Sequence, residues 1–234
     1  MIAIFRRELG SYFSSPVGYA FLAIFYIFSG LFLKSYTLAR STTDLSGVFV
    51  SMFTILVFLV PVLTMRLMSE EKRQKTDQLL LTSPVTITGI VVGKFLAAFL
   101  IFSLGVAVTL VYAVVLSGFG AVSWSVVFGN IVGMLLLGAA FIAIGIFVSS
   151  LTENQIIAAV GGFAILMIFM LIDMIAAAIP IKFLSDAVYA LSFTDKYNEF
   201  AVGIFNFSSV LFFISFAVVF NFLTIRVLER RRWA

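Results

Sequence analysis

The sequence predicts an all-α integral membrane protein with six transmembrane helices, and composition and charge spacing are the observations behind it. Of its 234 residues, 62% are apolar and only 11% are charged. Soluble domains are roughly half apolar and about a quarter charged. Residues 9–33, 45–65, 95–152 and 200–225 contain no Asp, Glu, Lys or Arg. A spanning helix needs about 20 such residues, so each stretch is long enough to cross a bilayer.

The first predicted element is an amphipathic helix over residues 1–15 that lies in the inner membrane interface. Its apolar stripe consists of Ile2, Phe5, Leu9, Tyr12 and Phe13. Ile4 falls off this stripe. Arg6 and Arg7 lie toward the other side, and together with Phe5 they are candidate interfacial anchors. Pro16 is expected to end this helix, because proline cannot continue a helical hydrogen-bond ladder.

Apolar length and polar breaks place the six spans. They are predicted over residues 17–33, 48–65, 95–116, 126–148, 156–179 and 207–225. The glycines and serines of residues 117–125 supply the turn between the third and fourth spans. Trp124 in this turn and Trp233 near the carboxyl terminus are further candidate interfacial anchors.

Six spans put both termini on one side of the membrane, and the distribution of basic residues selects that side. Eleven of the 15 Lys and Arg residues lie on the side of the termini, and the remaining four lie opposite. Cytoplasmic segments carry the excess of Lys and Arg, so both termini are expected in the cytoplasm of a multi-pass protein of the cell (inner) membrane. The basic residues are spread over three segments, which argues against binding of nucleic acid.

Residues 181–206, between the fifth and sixth spans, are too polar to cross the membrane and too apolar for a simple loop. They contain two apolar stripes at helical spacing. The stripes are Phe183, Leu184, Ala187, Val188 and Leu191, followed by Tyr197, Phe200, Ala201 and Ile204. We therefore expect two short re-entrant helices in the outer leaflet.

One large charged segment, residues 66–88, interrupts the apolar sequence on the cytoplasmic side. It has a charged half, residues 70–75, and an apolar half, residues 79–81. Such a division suits a short helix that rests its leucines on the membrane protein and presents its charges to a soluble partner. An ordinary solvated loop is the alternative.

The residue types present exclude most catalytic chemistry. The chain has no Cys and no His, so it lacks thiolate and imidazole metal ligands and the usual nucleophile pairs. Residues 89–94 superficially resemble a phosphate-binding loop. Their glycine spacing is one residue short, and Phe95 stands where Ser or Thr would follow Lys94. We expect no catalytic, metal or cofactor site.

Asp173 is the one acidic residue inside a predicted span, and ionisable groups in spans are candidate functional sites. It falls near the outer end of the fifth span. We favour a structural or gate-lining role, with Lys182 as its partner, over coupling to protons.

Four motifs resemble the short six-span permeases of ABC exporters of the second type, of the gliding-motility and copper-enzyme-maturation kind. They occur in residues 5–18, 70–95, 149–155 and 229–233. One departure is visible at residues 75–78, where many relatives have Gly-Thr-Leu-Glu.

The resemblance implies that the chain is a single permease domain, residues 1–234, with a coupling helix in residues 66–88 that docks on an ATPase. A second, smaller contact is implied in the turn of residues 152–155, for which a tight polar turn is the alternative. The candidate coupling residues are Glu70, Glu71, Lys72, Arg73, Thr76, Leu79, Leu80, Pro84, Thr152, Glu153, Asn154 and Gln155.

The predicted function is therefore that of a non-catalytic permease subunit, with export the expected direction. The resemblance implies a complex with two copies of a cytoplasmic ABC ATPase, which binds ATP and Mg, and a second permease copy or close homologue. An accessory membrane protein with an extracellular domain is a further expected partner. Two alternatives stay open: a membrane anchor that couples an ATPase to a mechanical or assembly task, and a secondary transporter or channel.

Overall fold

The computed structural model describes residues 1–76 and 86–232, and within these ranges the chain is helical with no strand. A π-helical segment, Leu33–Leu38, follows the helix that ends at Phe32. The helices are α1 (Ile2–Ser14), α2 (Pro16–Phe32), α3 (Ser46–Thr64), α4 (Arg66–Arg73), α5 (Ile87–Ser117), α6 (Trp124–Leu151), α7 (Gln155–Met170), α8 (Ile172–Ala178), α9 (Lys182–Tyr189), α10 (Phe193–Ala201) and α11 (Phe207–Arg232).

Five helical segments of the described chain are long and apolar enough to span a membrane, and the bent pair of α7 and α8 makes a sixth if it crosses as one span. This range of five to six includes the predicted number of spans. The prediction of a continuous fifth span was wrong, because α7 and α8 meet at an angle of 53°. The break at Leu171 frees the carbonyl of Met170, and the hydroxyl of Thr194 approaches it at 3.5 Å. A side chain that satisfies a freed carbonyl is a common cause of a helix kink.

The helices that contain the second and third predicted spans extend beyond those spans at the charged end. The second span runs on through α4 as one helical segment, Ser46–Arg73. The third starts at Ile87 instead of residue 95, with Thr86 as its cap: the Thr86 hydroxyl accepts the amide of Gly89 at 3.2 Å. The predicted span began after the charge of Lys94, but the protein itself buries this side chain.

Helix α6 is the centre of the bundle. It packs against α3, α4, α5, α7, α10 and α11. Two of its glycines allow close approach: a methyl group on Gly138 would lie 2.1 Å from the Phe102 ring, and one on Gly145 would lie 2.1 Å from the Thr64 hydroxyl. These glycines therefore serve packing within the chain.

Helix α1 forms where the sequence predicts a helix, and Pro16 begins α2 as expected. The face of α1 toward the rest of the protein carries Ile4, Glu8 and Tyr12, and Ile4 is only 6% exposed. This face packs on α5 and α2, whereas Ile2 of the predicted apolar stripe is 66% exposed. The position of α1 in the membrane interface stays a prediction.

Both helices predicted between the last two spans are present as α9 and α10, but they differ in burial. No residue of α9 is buried, and it packs mainly on α8. In α10, the buried residues are Phe193, Tyr197, Phe200 and Ala201. Of the predicted stripe only Ile204 is exposed. Helix α10 is therefore part of the protein core. The placement of α9 and α10 in the outer leaflet stays a prediction.

Candidate functional site

The charged helix α4 has two dissimilar faces. Leu67, Met68, Ser69 and Lys72 are buried, whereas Arg73 is exposed and Glu70 is partly exposed. The helix ends in a left-handed residue, Lys75, with φ of 56°. The amide of Thr76 donates to the carbonyl of Glu71 at 3.0 Å, and that of Lys75 donates to Lys72 at 3.1 Å. This pair of hydrogen bonds is a Schellman motif, which turns the chain sharply out of the helix.

Four charged side chains from three helices form an ionic cluster on the inner face of α4: Arg7 and Glu8 from α1, Glu71 from α4 and Lys94 from α5. The Lys94 side chain is 1% exposed, and its Nζ lies 3.1 Å from Glu8 Oε1 and 3.0 Å from Glu71 Oε2. It also donates to the carbonyl of Leu67 at 2.6 Å. Arg7 pairs with Glu8 at 2.6 Å and with Glu71.

The cluster balances its charges, with two cations and two anions. Burial by itself would raise the pKa of Glu8, but the charge of Lys94 and the hydrogen bond from Arg7 outweigh it and lower this pKa. Burial would lower the pKa of Arg7, but its bonds to Glu8 and its attraction to Glu71 raise it. Both groups are therefore ionised at neutral pH, and the half-exposed Arg7 together with the buried Lys94 neutralises the two carboxylates.

A second set of contacts fixes the start of α4. The Arg66 guanidinium donates to the hydroxyl of Ser15 at 2.6 Å, lies 3.2 Å from the Glu70 carboxylate and stacks over the Tyr12 ring. The Tyr12 hydroxyl donates to the carbonyl of Leu63 at 2.8 Å. These bonds tie α1 to the junction between α3 and α4, so α1, α3 and α4 are joined at one corner.

The end of α6 holds the other side of α4. The Ser149 hydroxyl donates to the carbonyl of Met65 at 2.7 Å and accepts the amides of Met68 and Ser69. Lys72 Nζ donates to the carbonyl of Ser150 at 3.3 Å. A serine that accepts two backbone amides at a helix junction satisfies donors that would otherwise be buried without partners.

The structure divides the predicted coupling residues of α4 between two environments. Arg73 is exposed and Glu70 is partly exposed beside Arg66, whereas Glu71 and Lys72 make the inward contacts given above. The Thr76 hydroxyl donates to the carbonyl of Glu71 at 3.3 Å. Leu79, Leu80 and Pro84 lie outside the described residues. The docking role of these residues stays a prediction.

The turn predicted as the second contact connects α6 to α7, close to α4. The Asn154 side chain caps α7 by accepting the amides of Ile156 at 2.9 Å and Ile157 at 3.4 Å. Glu153 is exposed, and Thr152 accepts the amide of Asn154 at 3.1 Å. Gln155 begins α7. Since Ser150 contacts Lys72, the two predicted contacts lie side by side.

The predicted interfacial anchors differ in exposure. Trp124 begins α6 and is 40% exposed, Arg6 is exposed and Phe5 is half-buried. Trp233 lies outside the described residues.

Asp173 lies in the first turn of α8, and the predicted pair with Lys182 is absent from the ion pairs of the described residues. Its Oδ1 is buried with no hydrogen-bond partner there. The bend at Leu171 places Asp173 in the separate short helix α8 and not in one continuous helix.

Sequence reasoning missed Glu8, Lys94 and Ser149 as members of this site. Lys94 entered as a topological charge and in the rejected phosphate-loop comparison, and Glu8 and Ser149 entered only as parts of motifs. One signal was available: Glu8 falls on the same helical face as Ile4 and Tyr12, one turn from each. No group of three potential metal-ligating side chains occurs within residues 1–76 and 86–232.

Comparison with known proteins identifies the family. A family model described as "ABC-2 family transporter protein" matches residues 2–233. A search of curated proteins found no match. The family match spans nearly the whole chain and includes every helix described above. Together with the apolar helices, it makes the chain a multi-pass membrane protein. The protein therefore belongs to the ABC-2 family of transporter proteins.

Proposed function

We propose that this chain is the transmembrane permease subunit of an ATP-binding-cassette exporter, powered by a separate cytoplasmic ATPase. Family membership supports the class, and the two-faced arrangement of α4 is the observation that carries the coupling role. Its inner face is bonded to α1, α5 and α6, while Arg73 and the neighbouring turn at Glu153 remain exposed. In our proposal the ATPase docks on this exposed surface.

The geometry supports a way to transmit force. Helix α3 continues into α4, so a push on α4 acts directly along the second span. The ionic cluster joins the same push to α1 and to α5. Closure of two ATPases around MgATP would thus move three elements of the permease together, as a rigid-body shift.

The remaining parts of the proposal concern the assembly. The permease works with two ATPase copies and with a second permease copy or a close homologue, and the substrate path lies between the two permeases. An accessory protein with an extracellular domain completes the complex. The charged end, where α1, α4 and the last turns of α6 and α11 lie, faces the cytoplasm of the cell membrane. Nucleotide and Mg bind to the partner, and this chain is non-catalytic.

The test is recovery of the ATPase with the chain purified from native membranes. We expect the wild type to retain an ATPase and Arg73→Glu to lose it by about tenfold or more, because like charges across an interface cost several kcal/mol. Arg230→Glu is the matched control, since it reverses another exposed charge at the same end. Glu71→Lys is less suitable, because it would also break the ionic cluster.

Two outcomes would contradict the proposal: a wild-type complex without any ATPase, or full retention by Arg73→Glu. Substrate movement that persists without an ATPase would instead favour a secondary transporter or channel. An ATPase that is retained but drives no substrate movement in vesicles would favour the mechanical anchor.

A further inference from the structure

A groove of about 450 Å³ lies between α5 and α11, and α6 supplies its third wall. Val92 and Leu96 line the groove, and each is two residues from Lys94, so the groove lies on the opposite side of α5 from the ionic cluster. The described lining residues are apolar except for Asn221, whose amide donates to the carbonyl of Ala217 on its own helix at 2.8 Å. Neither the ionic cluster nor the proposed ATPase surface accounts for this groove.

The groove follows α11 over the depth of about one membrane leaflet. The α11 residues that line it begin at Ile214 and end at Ile225. At 1.5 Å per residue, these two residues are about 17 Å apart, and half of a hydrocarbon core is about 15 Å thick. Helix α11 is the least buried of the five continuous candidate spans, and Val218 and Phe222 are 62% and 50% exposed. The groove is therefore open to the membrane and matches the acyl layer of one leaflet in length.

A cation lies at the charged end of this groove. Arg226 follows Ile225 directly, and its guanidinium carbon lies 4.9 Å from the centre of the Phe222 ring, which lines the groove. Arg226 Nη1 donates to the carboxylate of Glu229 at 2.9 Å. A guanidinium carries N–H donors on each of its nitrogens, so this bond leaves donors for a further anion.

We propose that the groove holds an acyl chain of an anionic phospholipid, whose phosphate binds Arg226. Arginine donates to phosphate oxygens through charge-assisted hydrogen bonds. Residues 226–231 contain three arginines and one glutamate, so this end of α11 attracts an anionic head and disfavours the ammonium of a zwitterionic one. This inference concerns a different surface from the proposed ATPase contact and does not depend on it.

The test is native mass spectrometry of the full chain in detergent, titrated with phosphatidylglycerol or with phosphatidylcholine of the same acyl chains. We expect the wild type to bind phosphatidylglycerol about fivefold more tightly, which is the effect of one arginine on an anionic lipid. Arg226→Gln should lose most of this preference. Arg40→Gln is the matched control, because Arg40 is also exposed and stacked over an aromatic ring but lies outside the groove. It should keep the preference.

A second pair of variants tests the acyl chain. Ala139 lines the groove from α6 and is half-buried, so Ala139→Phe fills the groove without changing its charge. This variant should bind both lipids more weakly. Ala107→Phe makes the same change at an exposed position of α5 outside the groove and should bind like the wild type. Arg226→Gln changes an exposed side chain, so it tests the headgroup contact even if Ala139→Phe fails to fold.

Three results would overturn the proposal: equal binding of the two lipids by the wild type, an unchanged preference in Arg226→Gln, or lipid binding that Ala139→Phe does not weaken. If Ala139→Phe instead dissociates a dimer that Ala107→Phe retains, and leaves lipid binding unchanged, a second copy of the chain fills the groove.

Discussion

Helix α6 packs against two regions that are built in opposite ways. Near its buried middle, Phe141 meets an aromatic cluster in which the Phe193 ring of α10 lies 4.9–5.7 Å from five others. The other members are Phe141, Phe169, Phe212, Phe213 and Phe216. At its carboxyl end, α6 holds α4, whose inner face carries the ionic cluster. The first region is apolar and the second depends on directional, charged bonds.

The two regions differ in how they respond to the loss of a group. Aromatic packing depends on shape and contact area, and its energy changes gradually when a ring is replaced by another apolar group. Losing one partner of a buried ion pair leaves the other charge buried and unpaired. The ionic cluster therefore joins α4 to α1 and α5 through directional bonds, while the aromatic cluster holds α10 in place.

Among the variants that test this comparison, Lys94→Met is expected to cause the largest loss of stability. The change removes the buried cation that Glu8 and Glu71 share and leaves them only the half-exposed Arg7. Breaking a buried ion pair costs about 3–5 kcal/mol. The midpoint of thermal unfolding in detergent should fall accordingly. The matched variant, Lys94→Met with Glu8→Gln and Glu71→Gln, removes all these charges and should recover most of the loss. If the triple variant is no more stable than Lys94→Met, repulsion between the carboxylates is not the cause.

Glu8→Gln is expected to cause an intermediate loss of stability, and this loss depends on pH. A hydrogen bond to a charged group contributes about 1.5–3 kcal/mol, and Lys94 keeps Glu71 as a partner in this variant. The pKa of Glu8 is lowered from 4.5 in the folded protein. Its contribution is therefore present above pH about 4.5 and is lost as the pH falls through the lower folded value.

Unfolding midpoints between pH 7 and pH 3 measure this dependence. The wild type should lose more stability than Glu8→Gln over that range. Parallel curves for the two proteins would show that Glu8 does not titrate as described.

Phe193→Leu is expected to give the smallest effect, about 1 kcal/mol, because an apolar residue of similar size still fills the site. The loss should not change with salt or pH, in contrast to the variants of the ionic cluster. Unfolding midpoints at low and high ionic strength provide the measurement. A salt-dependent loss would mean that α10 is held by charges as well.

Particular residues show what the sequence could and could not predict. Long charge-free stretches predict six spans, because the bilayer sets the length of apolar sequence directly, and the structure has five to six candidates. Periodicity also identifies α9 and α10 as helices, but the stripes that contain Phe183 and Tyr197 look alike. Only packing decides that Phe183 is 82% exposed while Tyr197 is buried and donates to the carbonyl of Phe49.

The ionic cluster was beyond sequence reasoning for a related reason. Glu8 and Lys94 are 86 residues apart, and their meeting depends on how α1 folds back onto α5. The break at Leu171 carries no proline or glycine to reveal it. The candidate site was therefore located by its charge, but its inner and outer faces could be separated only in the structure.

The central claim is that the inner face of α4 is bonded to neighbouring helices and its outer face is accessible to solvent. Because the chain has no cysteine, single cysteines at Met68 and Arg73 can report on the two faces through labelling with a water-soluble maleimide. Met68 is 3% exposed, and Arg73 is exposed.

We predict that Arg73→Cys is labelled about tenfold faster than Met68→Cys, since labelling of a buried site requires local opening. Adding the co-purified ATPase should protect Arg73→Cys, and Lys94→Met should accelerate labelling of Met68→Cys. Equal labelling rates at the two positions in otherwise wild-type protein would contradict the claim.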